Sequence, residues 1–152
     1  MRKALLLFIT MALALVLAAG IAWAAPGTPR VVSTVPTGGA TNVDPTANIK
    51  AKFSEPMKER SINTGTVYLQ WSHCPSAPVE AATVRYNADT KTAILEPTAS
   101  LLANNEYTAV VEGTGDGDMK AVKDRGGTPL AGDFTFSFTT GLSGSGGDGP
   151  CP

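Results

Sequence analysis

Histidine, cysteine and charged residues are scarce in this chain. Its 152 residues include one His and two Cys, and charged residues make up 16%, below the quarter that soluble domains usually carry. A zinc centre needs three or four protein ligands, and a nucleophile needs a base beside it. A single His and no cluster of metal-ligating residues therefore argue against hydrolytic or metal-dependent chemistry. We expect no catalytic residues and no cofactor.

Basic residues are also too few to suggest a nucleic acid partner. Twelve Lys and Arg stand against thirteen Asp and Glu, and two of the twelve lie at positions 2 and 3. Binding to phosphate backbones calls for a clustered Lys/Arg surface. The length fits one domain with its own core. Sixteen Gly and eleven Pro predict many turns.

The first 24 residues predict a secretory signal peptide. Positions 2 and 3 are basic, residues 4–19 are apolar except for one Thr, and Ala22-Trp23-Ala24 supplies a small-x-small cleavage motif. The alternative is an uncleaved anchor, because about 20 apolar residues can span a bilayer, and the membrane would then be a partner. No Cys follows the apolar run to accept lipid. Both alternatives predict an exported protein, extracellular or on the cell surface.

Residues 25–29 form a short Pro-containing leader, and short β-prone runs separated by turn residues follow it. The last run, residues 134–139, alternates three Phe with three hydroxyl residues, which is typical of a half-buried strand. Seven runs of this kind are found, at residues 30–35, 48–53, 66–71, 83–86, 92–95, 107–111 and 134–139. No amphipathic helix of useful length lies between them. The pattern predicts an all-β, seven-stranded antiparallel immunoglobulin-like β-sandwich over residues 30–141.

Two local features accompany these strands. The stretch Leu102-Ala103-Asn104-Asn105-Glu106-Tyr107 is typical of a tyrosine corner, in which the hydroxyl of Tyr107 bonds the backbone just upstream of the penultimate strand. The simpler interpretation is that Tyr107 is only a core aromatic residue. Residues 142–152 are a Gly-rich C-terminal tail whose composition is that of a flexible linker.

The order of the motifs resembles the SbsA-type bacterial immunoglobulin-like domain, found in S-layer and other exported bacterial proteins. The motifs that carry the resemblance are Val31-Val32-Ser33-Thr34-Val35-Pro36, Gly39-Ala40-Thr41-Asn42-Val43, Phe53-Ser54-Glu55-Pro56-Met57, Leu95-Glu96-Pro97, Leu102 and Tyr107, Val122-Lys123-Asp124, Gly126, Pro129-Leu130 and Phe136-Ser137-Phe138-Thr139-Thr140. The chain departs from the family at residues 71–78, which are longer and richer in Pro and Cys, and at Gly127, where the family often has Asn. The resemblance implies a structural or binding module outside the cytoplasm.

The two cysteines allow one intramolecular pairing in an exported chain. In an immunoglobulin-type sheet the third and seventh strands both run antiparallel to the sixth, so they are parallel to each other. Cys74 follows the third strand and Cys151 follows the seventh, so both should emerge at the same end. We therefore predict a Cys74–Cys151 disulfide. The alternative is free or intermolecular thiols.

Two further groups of residues are candidate ligand sites. Asp116 and Asp118, with Asp124 further on, supply oxygens of the kind that bind calcium, but the EF-hand spacing is absent and a solvated turn explains them as well. Tyr68, Trp71 and His73 lie near the unusual loop and are a candidate stacking platform for carbohydrate. His73 also adjoins Cys74, but no third group accompanies them, so the simpler interpretation is a loop histidine in water.

The sequence thus predicts a non-catalytic secreted or cell-surface module with a structural, adhesive or partner-binding role. Its partner would be a protein or glycan of the cell envelope. The alternative is a carbohydrate- or calcium-binding module of the envelope. An exposed Trp71 would favour the carbohydrate alternative, and burial of Trp71 in the core would count against it.

Overall fold

The computed structural model describes residues 27–73, 80–114 and 120–142. Eight strands and one short 3-10 helix make up the domain. In chain order they are β1 (Val31–Val35), β2 (Ala40–Val43), β3 (Ile49–Phe53), the 3-10 helix η1 (Glu59–Ser61), β4 (Val67–Trp71), β5 (Ala82–Asn87), β6 (Thr92–Pro97), β7 (Glu106–Val111) and β8 (Phe134–Thr140). The predicted signal peptide and residues 143–152 of the tail lie outside the described residues. Within those ranges, no helix has the length and apolar character needed to cross a membrane.

The strands form two four-stranded sheets, which confirms the predicted β-sandwich. The first sheet has the order β1-β3-β6-β5 and the second has the order β2-β8-β7-β4. Neighbours pair antiparallel throughout, except that β2 runs parallel to β8. All seven predicted strands are present, and most of their ends are shifted by one or two residues.

The eighth strand, β2, is the difference from the prediction. It has four residues, and its two ends are half-buried while its two middle residues are exposed, so it lacks the alternation that marks a strand. Its position depends on β8 instead. Gly39 N donates to Ser137 O over 2.8 Å, and Gly141 N donates to Val43 O over 2.7 Å. Such long-range pairing leaves no local pattern in the sequence.

The core lies between the inward faces of the two sheets. Strand β3 turns Ile49, Ala51 and Phe53 inward and both of its lysines outward. The inward residues of β8 are its three Phe, with Phe138 only 1% exposed. Each large side chain buried in this way contributes about 2 to 3 kcal/mol before the entropy cost of ordering it. The alternating pattern therefore fixes which face of each strand reaches solvent.

The chain enters and leaves the sandwich at opposite ends. At the end that we call the entry pole, Ser54 N donates to Arg30 O over 2.9 Å, and residues 29–31 lie beside residues 130–134 at the start of β8. At the exit pole, Gly141 bonds Val43, and Asn104 N donates to Gly141 O over 3.3 Å. The seven residues of β8 connect the poles. At about 3.3 Å per residue, the poles are roughly 20 Å apart.

Candidate functional site

Tyr107 organises the exit pole. It lies on the inward face of β7 with no exposed surface, and its Oη accepts a hydrogen bond of 2.9 Å from Leu102 N. Its ring stacks on Phe138 with the centroids 6.1 Å apart. Burial raises the pKa of the Tyr107 phenol above its usual value, although the bond from Leu102 acts in the opposite direction. The contact is of the kind that a tyrosine corner makes, and it ties the turn before β7 to the core.

The three aromatic residues of the predicted stacking platform do not come together. Trp71 lies on the inward face of β4, half-buried against the core, and its Nε1 donates to a Glu80 oxygen. The exposed His73 ring lies 5.4 Å from the Trp71 ring. Tyr68 lies on the outward face, where its hydroxyl donates to Glu112 over 2.7 Å. Side chains alternate along a strand, so positions 68 and 71 point to opposite faces.

A row of hydroxyl groups crosses the outward face of the second sheet. Ser72 Oγ lies 2.8 Å from Thr108 Oγ1, which lies 2.9 Å from Ser137 Oγ. The three residues come from the end of β4, from β7 and from β8. They satisfy one another's hydrogen bonds, so the face is polar and ordered. The sequence marks each as an outward hydroxyl residue, but only the strand register aligns them.

Asp124 is the one predicted calcium ligand among the described residues. Asp124 is buried, with 4% of its surface exposed. Its Oδ1 accepts a hydrogen bond of 2.7 Å from Thr128 N. Gly127 N closes the same turn on Asp124 O over 3.1 Å. Across the three described ranges no group of three or more His, Cys, Asp or Glu side chains could hold a metal ion. Asp116 and Asp118 lie outside those ranges, so calcium binding there stays a prediction.

Cys74 and Cys151 also lie outside the described residues, so their disulfide stays a prediction as well. Strands β4 and β8 each pair antiparallel with β7 and therefore run in the same direction. After β4, Ser72 N donates to Glu106 O over 3.0 Å, and at the end of β8, Thr140 N donates to Asn105 O over 3.0 Å. Both strands thus end at the exit pole, which is the geometry on which the prediction depends.

A family model for the bacterial Ig-like domain matches residues 26–140. The chain belongs to this family. Comparison with curated proteins finds no match. Among solved structures, the S-layer protein SbsC is similar with a TM-score of 0.54 and 18% identity over 76% of this chain and 14% of its own. The bacterial Ig-like chain therefore spans about one seventh of that protein.

Two further proteins, of which PcoC is a copper resistance protein, have a similar fold and a similar size. PcoC, a methionine-rich protein from Escherichia coli, has a TM-score of 0.56 and 20% identity over 75% of this chain and 99% of its own. CopC from Methylosinus trichosporium OB3b has a TM-score of 0.56 and 12% identity over 74% of this chain and 93% of its own. At these identities the similarity shows the fold alone.

Proposed function

We propose that this bacterial Ig-like chain is an exported, non-catalytic module with a structural role, acting as an in-line spacer whose lateral surfaces are free to contact a partner. The observation that carries the proposal is the placement of chain entry and chain exit at opposite poles. Whatever is attached before Pro29 and after Leu142 is held about 20 Å apart by β8. A domain whose two ends emerged together would not separate its attachments.

The pairing of β2 with β8 suits a module that bears load. The two strands run in the same direction, and β2 lies beside the exit half of β8, from Phe138 to Thr140. Tension applied at the two ends first loads β1 against β3, and through β1 it pulls β2 toward the entry pole while β8 is pulled toward the exit pole. The hydrogen bonds between the two strands are then loaded along the strand direction, so they must break together and not one at a time. The bonds at Gly39 and Gly141 are the two ends of this contact.

The comparisons support export and a structural role. SbsC is a surface-layer protein whose structure is described as domains 1–6, and the share of it that this chain covers is close to that of one domain. A spacer of the envelope is the function that this relation and the opposite poles favour together.

A methionine-based copper site is a poor fit to this chain. Of its four Met, two lie within residues 1–24. Met57 is 1% exposed and packs in the core, and Met119 lies outside the described residues. The chain has one His, and that residue contacts Trp71. We therefore do not infer copper binding from the similarity to PcoC.

Location and processing are tested by fractionation and intact-mass spectrometry. We expect the chain in the culture supernatant or the envelope fraction. The mass of residues 25–152 would show cleavage after Ala24, whereas full-length mass confined to the membrane would show an anchored spacer. Recovery of the full-length chain from the cytoplasm alone would refute the proposal.

The spacer role is tested by single-molecule pulling in two geometries. Handles attached at Thr28 and Leu142, substituted by Cys in a chain whose two native cysteines are Ser, load β1 against β3 and, through β1, β2 against β8 between the poles. Handles at Asn104 and Leu142 provide the matched control, because both positions lie at the exit pole and the load peels strands one bond at a time. We expect a higher unfolding force in the first geometry. Equal forces, or a lower force between the poles, would contradict the proposal.

A further inference from the structure

A polar cavity of about 360 Å³ opens beside η1 at the entry pole. Its lining includes three cationic side chains, Lys58, Arg60 and Lys123, and three polar ones, Ser61, Asn63 and Thr66. Sequence reasoning missed this site because Lys58 and Lys123 are 65 positions apart. The fold brings together two segments of which neither is unusual alone.

Hydrogen bonds fix the two segments against each other. Lys58 N donates to Lys123 O over 2.8 Å, and Lys123 N donates to Ser61 Oγ over 3.0 Å. Ser61 Oγ in turn donates to Lys58 O over 2.7 Å. Met57 and Asp124 form an antiparallel bridge one residue further on. Hydrogen bonds between the two segments therefore hold the backbone that carries the cations of the cavity.

The concentration of positive charge is unusual for a chain with a net charge of −1. Five of its twelve Lys and Arg fall within residues 58–60 and 120–125. Lys58 and Arg60 form no ion pair with an acid of the described residues. The buried carboxylate of Asp124 is committed to Thr128, and Glu59 is exposed. The positive charges of Lys58 and Arg60 repel each other, and a bound anion reduces that repulsion.

We propose that this cavity binds an oxyanion, either a phosphate or a carboxylate group. The planar fork of Arg60 can donate two parallel hydrogen bonds to either group, and Lys58 adds a point charge. The hydroxyls of Ser61 and Thr66 donate to backbone carbonyls, whereas the Asn63 amide gives one of its two hydrogens to Arg60 O and can offer the other to a ligand. The volume is at the low end of the range for ligand pockets, about 300 to 1,000 Å³, which suits a small anionic group.

The test is an NMR titration of the ¹⁵N-labelled chain with sodium phosphate and, separately, with sodium acetate, at an ionic strength held constant with NaCl. We expect saturable shifts of the amides of Ser61, Asn63 and Lys123 with at least one anion. Saturation by phosphate alone assigns the site to phosphate groups, and saturation by acetate alone assigns it to carboxylates. Absence of saturable shifts with both anions overturns the proposal.

Matched charge variants separate a site from general electrostatic attraction. K58Q/R60Q removes two cations from the cavity, and K50Q/K52Q removes two from the outward face of β3. The cavity variant should weaken binding at least about tenfold, since each charge-assisted bond is worth a factor of this size, and the control should stay within about twofold. Equal weakening in both overturns the proposal. If the double variant loses its dispersed spectrum, R60Q alone replaces it in the titration. The test is done in solution and does not depend on export.

Discussion

Replacing Tyr107 by Phe tests how much the exit pole contributes to stability. The substitution removes only the Oη that accepts the bond from Leu102 N and leaves the buried ring in place. A net hydrogen bond contributes about 1 kcal/mol, and a donor left without a partner away from water costs about 1 to 3 kcal/mol. We expect the free energy of unfolding of Tyr107→Phe to fall by about 1.5 to 2.5 kcal/mol.

Two other tyrosines supply matched comparisons. Tyr86 Oη accepts a bond of 2.8 Å from Met57 N at a half-buried position, so Tyr86→Phe should cost a similar or somewhat smaller amount. Tyr68 donates to Glu112 on the outward face of the second sheet, where water can replace the bond. Tyr68→Phe should therefore change stability by less than about 0.5 kcal/mol.

The assay is urea unfolding followed by tryptophan fluorescence. The unfolding midpoint of Tyr107→Phe should fall while the slope with urea stays constant, because the exposed area on unfolding is the same. The melting temperature should fall by roughly 4 °C for each kcal/mol in a domain of this size. If Tyr107→Phe costs no more than Tyr68→Phe, the hydrogen bond to Leu102 does not stabilise the fold and our argument is wrong.

The native chain and Tyr107→Phe should also differ in how their stability depends on pH. Burial raises the pKa of the Tyr107 phenol above 10.0, so the unfolded chain gives up this proton more readily than the folded chain. The associated stability is fully present below about pH 10 and is lost as the pH rises through the folded pKa. Urea midpoints measured between about pH 8 and 11 should fall more steeply for the native chain than for Tyr107→Phe. Parallel curves would contradict the assignment.

Three further predictions follow from other parts of the chain. Gly113→Ala should cost about 2 to 3 kcal/mol, since the added Cβ would overlap the backbone of Gly132, whereas Gly132→Ala, whose Cβ meets nothing within 4 Å, should change stability little in the same urea assay. Arg85→Gln should raise the pKa of Glu96 toward its usual value in an NMR titration, because the bond from Arg85 lowers it, and an unchanged pKa would contradict that cause. The exported chain should weigh two hydrogens less than its reduced form, and alkylation of two thiols without reduction would rule out the internal disulfide.

Alternation along strands made most of the fold predictable. Each strand with one face on the core and one in water shows this in its sequence, as β3 and β8 do. The pattern at residues 66–71 also places Tyr68 and Trp71 on opposite faces, so the separation of the stacking platform could have been predicted. Strand β2 could not be predicted, because its half-buried residues, Ala40 and Val43, do not alternate with exposed ones and its pairing with β8 is long-range.

The candidate sites also divide into those that a local motif predicts and those that depend on the fold. The tyrosine corner is local, since Tyr107 and Leu102 are five positions apart, and a short motif is enough to suggest it. The hydroxyl row and the basic cavity depend on register and on contacts between distant segments. Ser61 bridges to Lys123 across 62 positions. No composition or spacing rule brings such residues together before the fold is known.

The two poles of the sandwich differ in their chemistry. At the exit pole, polar groups such as Asn105 and Thr140 are buried and bond to the neighbouring backbone. At the entry pole, the ends of β3 and β7 lead into the segments that carry the basic cavity. The chain also enters at this pole, where residues 29–31 lie beside residues 130–134. The two poles of the sandwich are therefore not equivalent: the exit pole is closed by buried polar groups, and the entry pole carries the basic cavity.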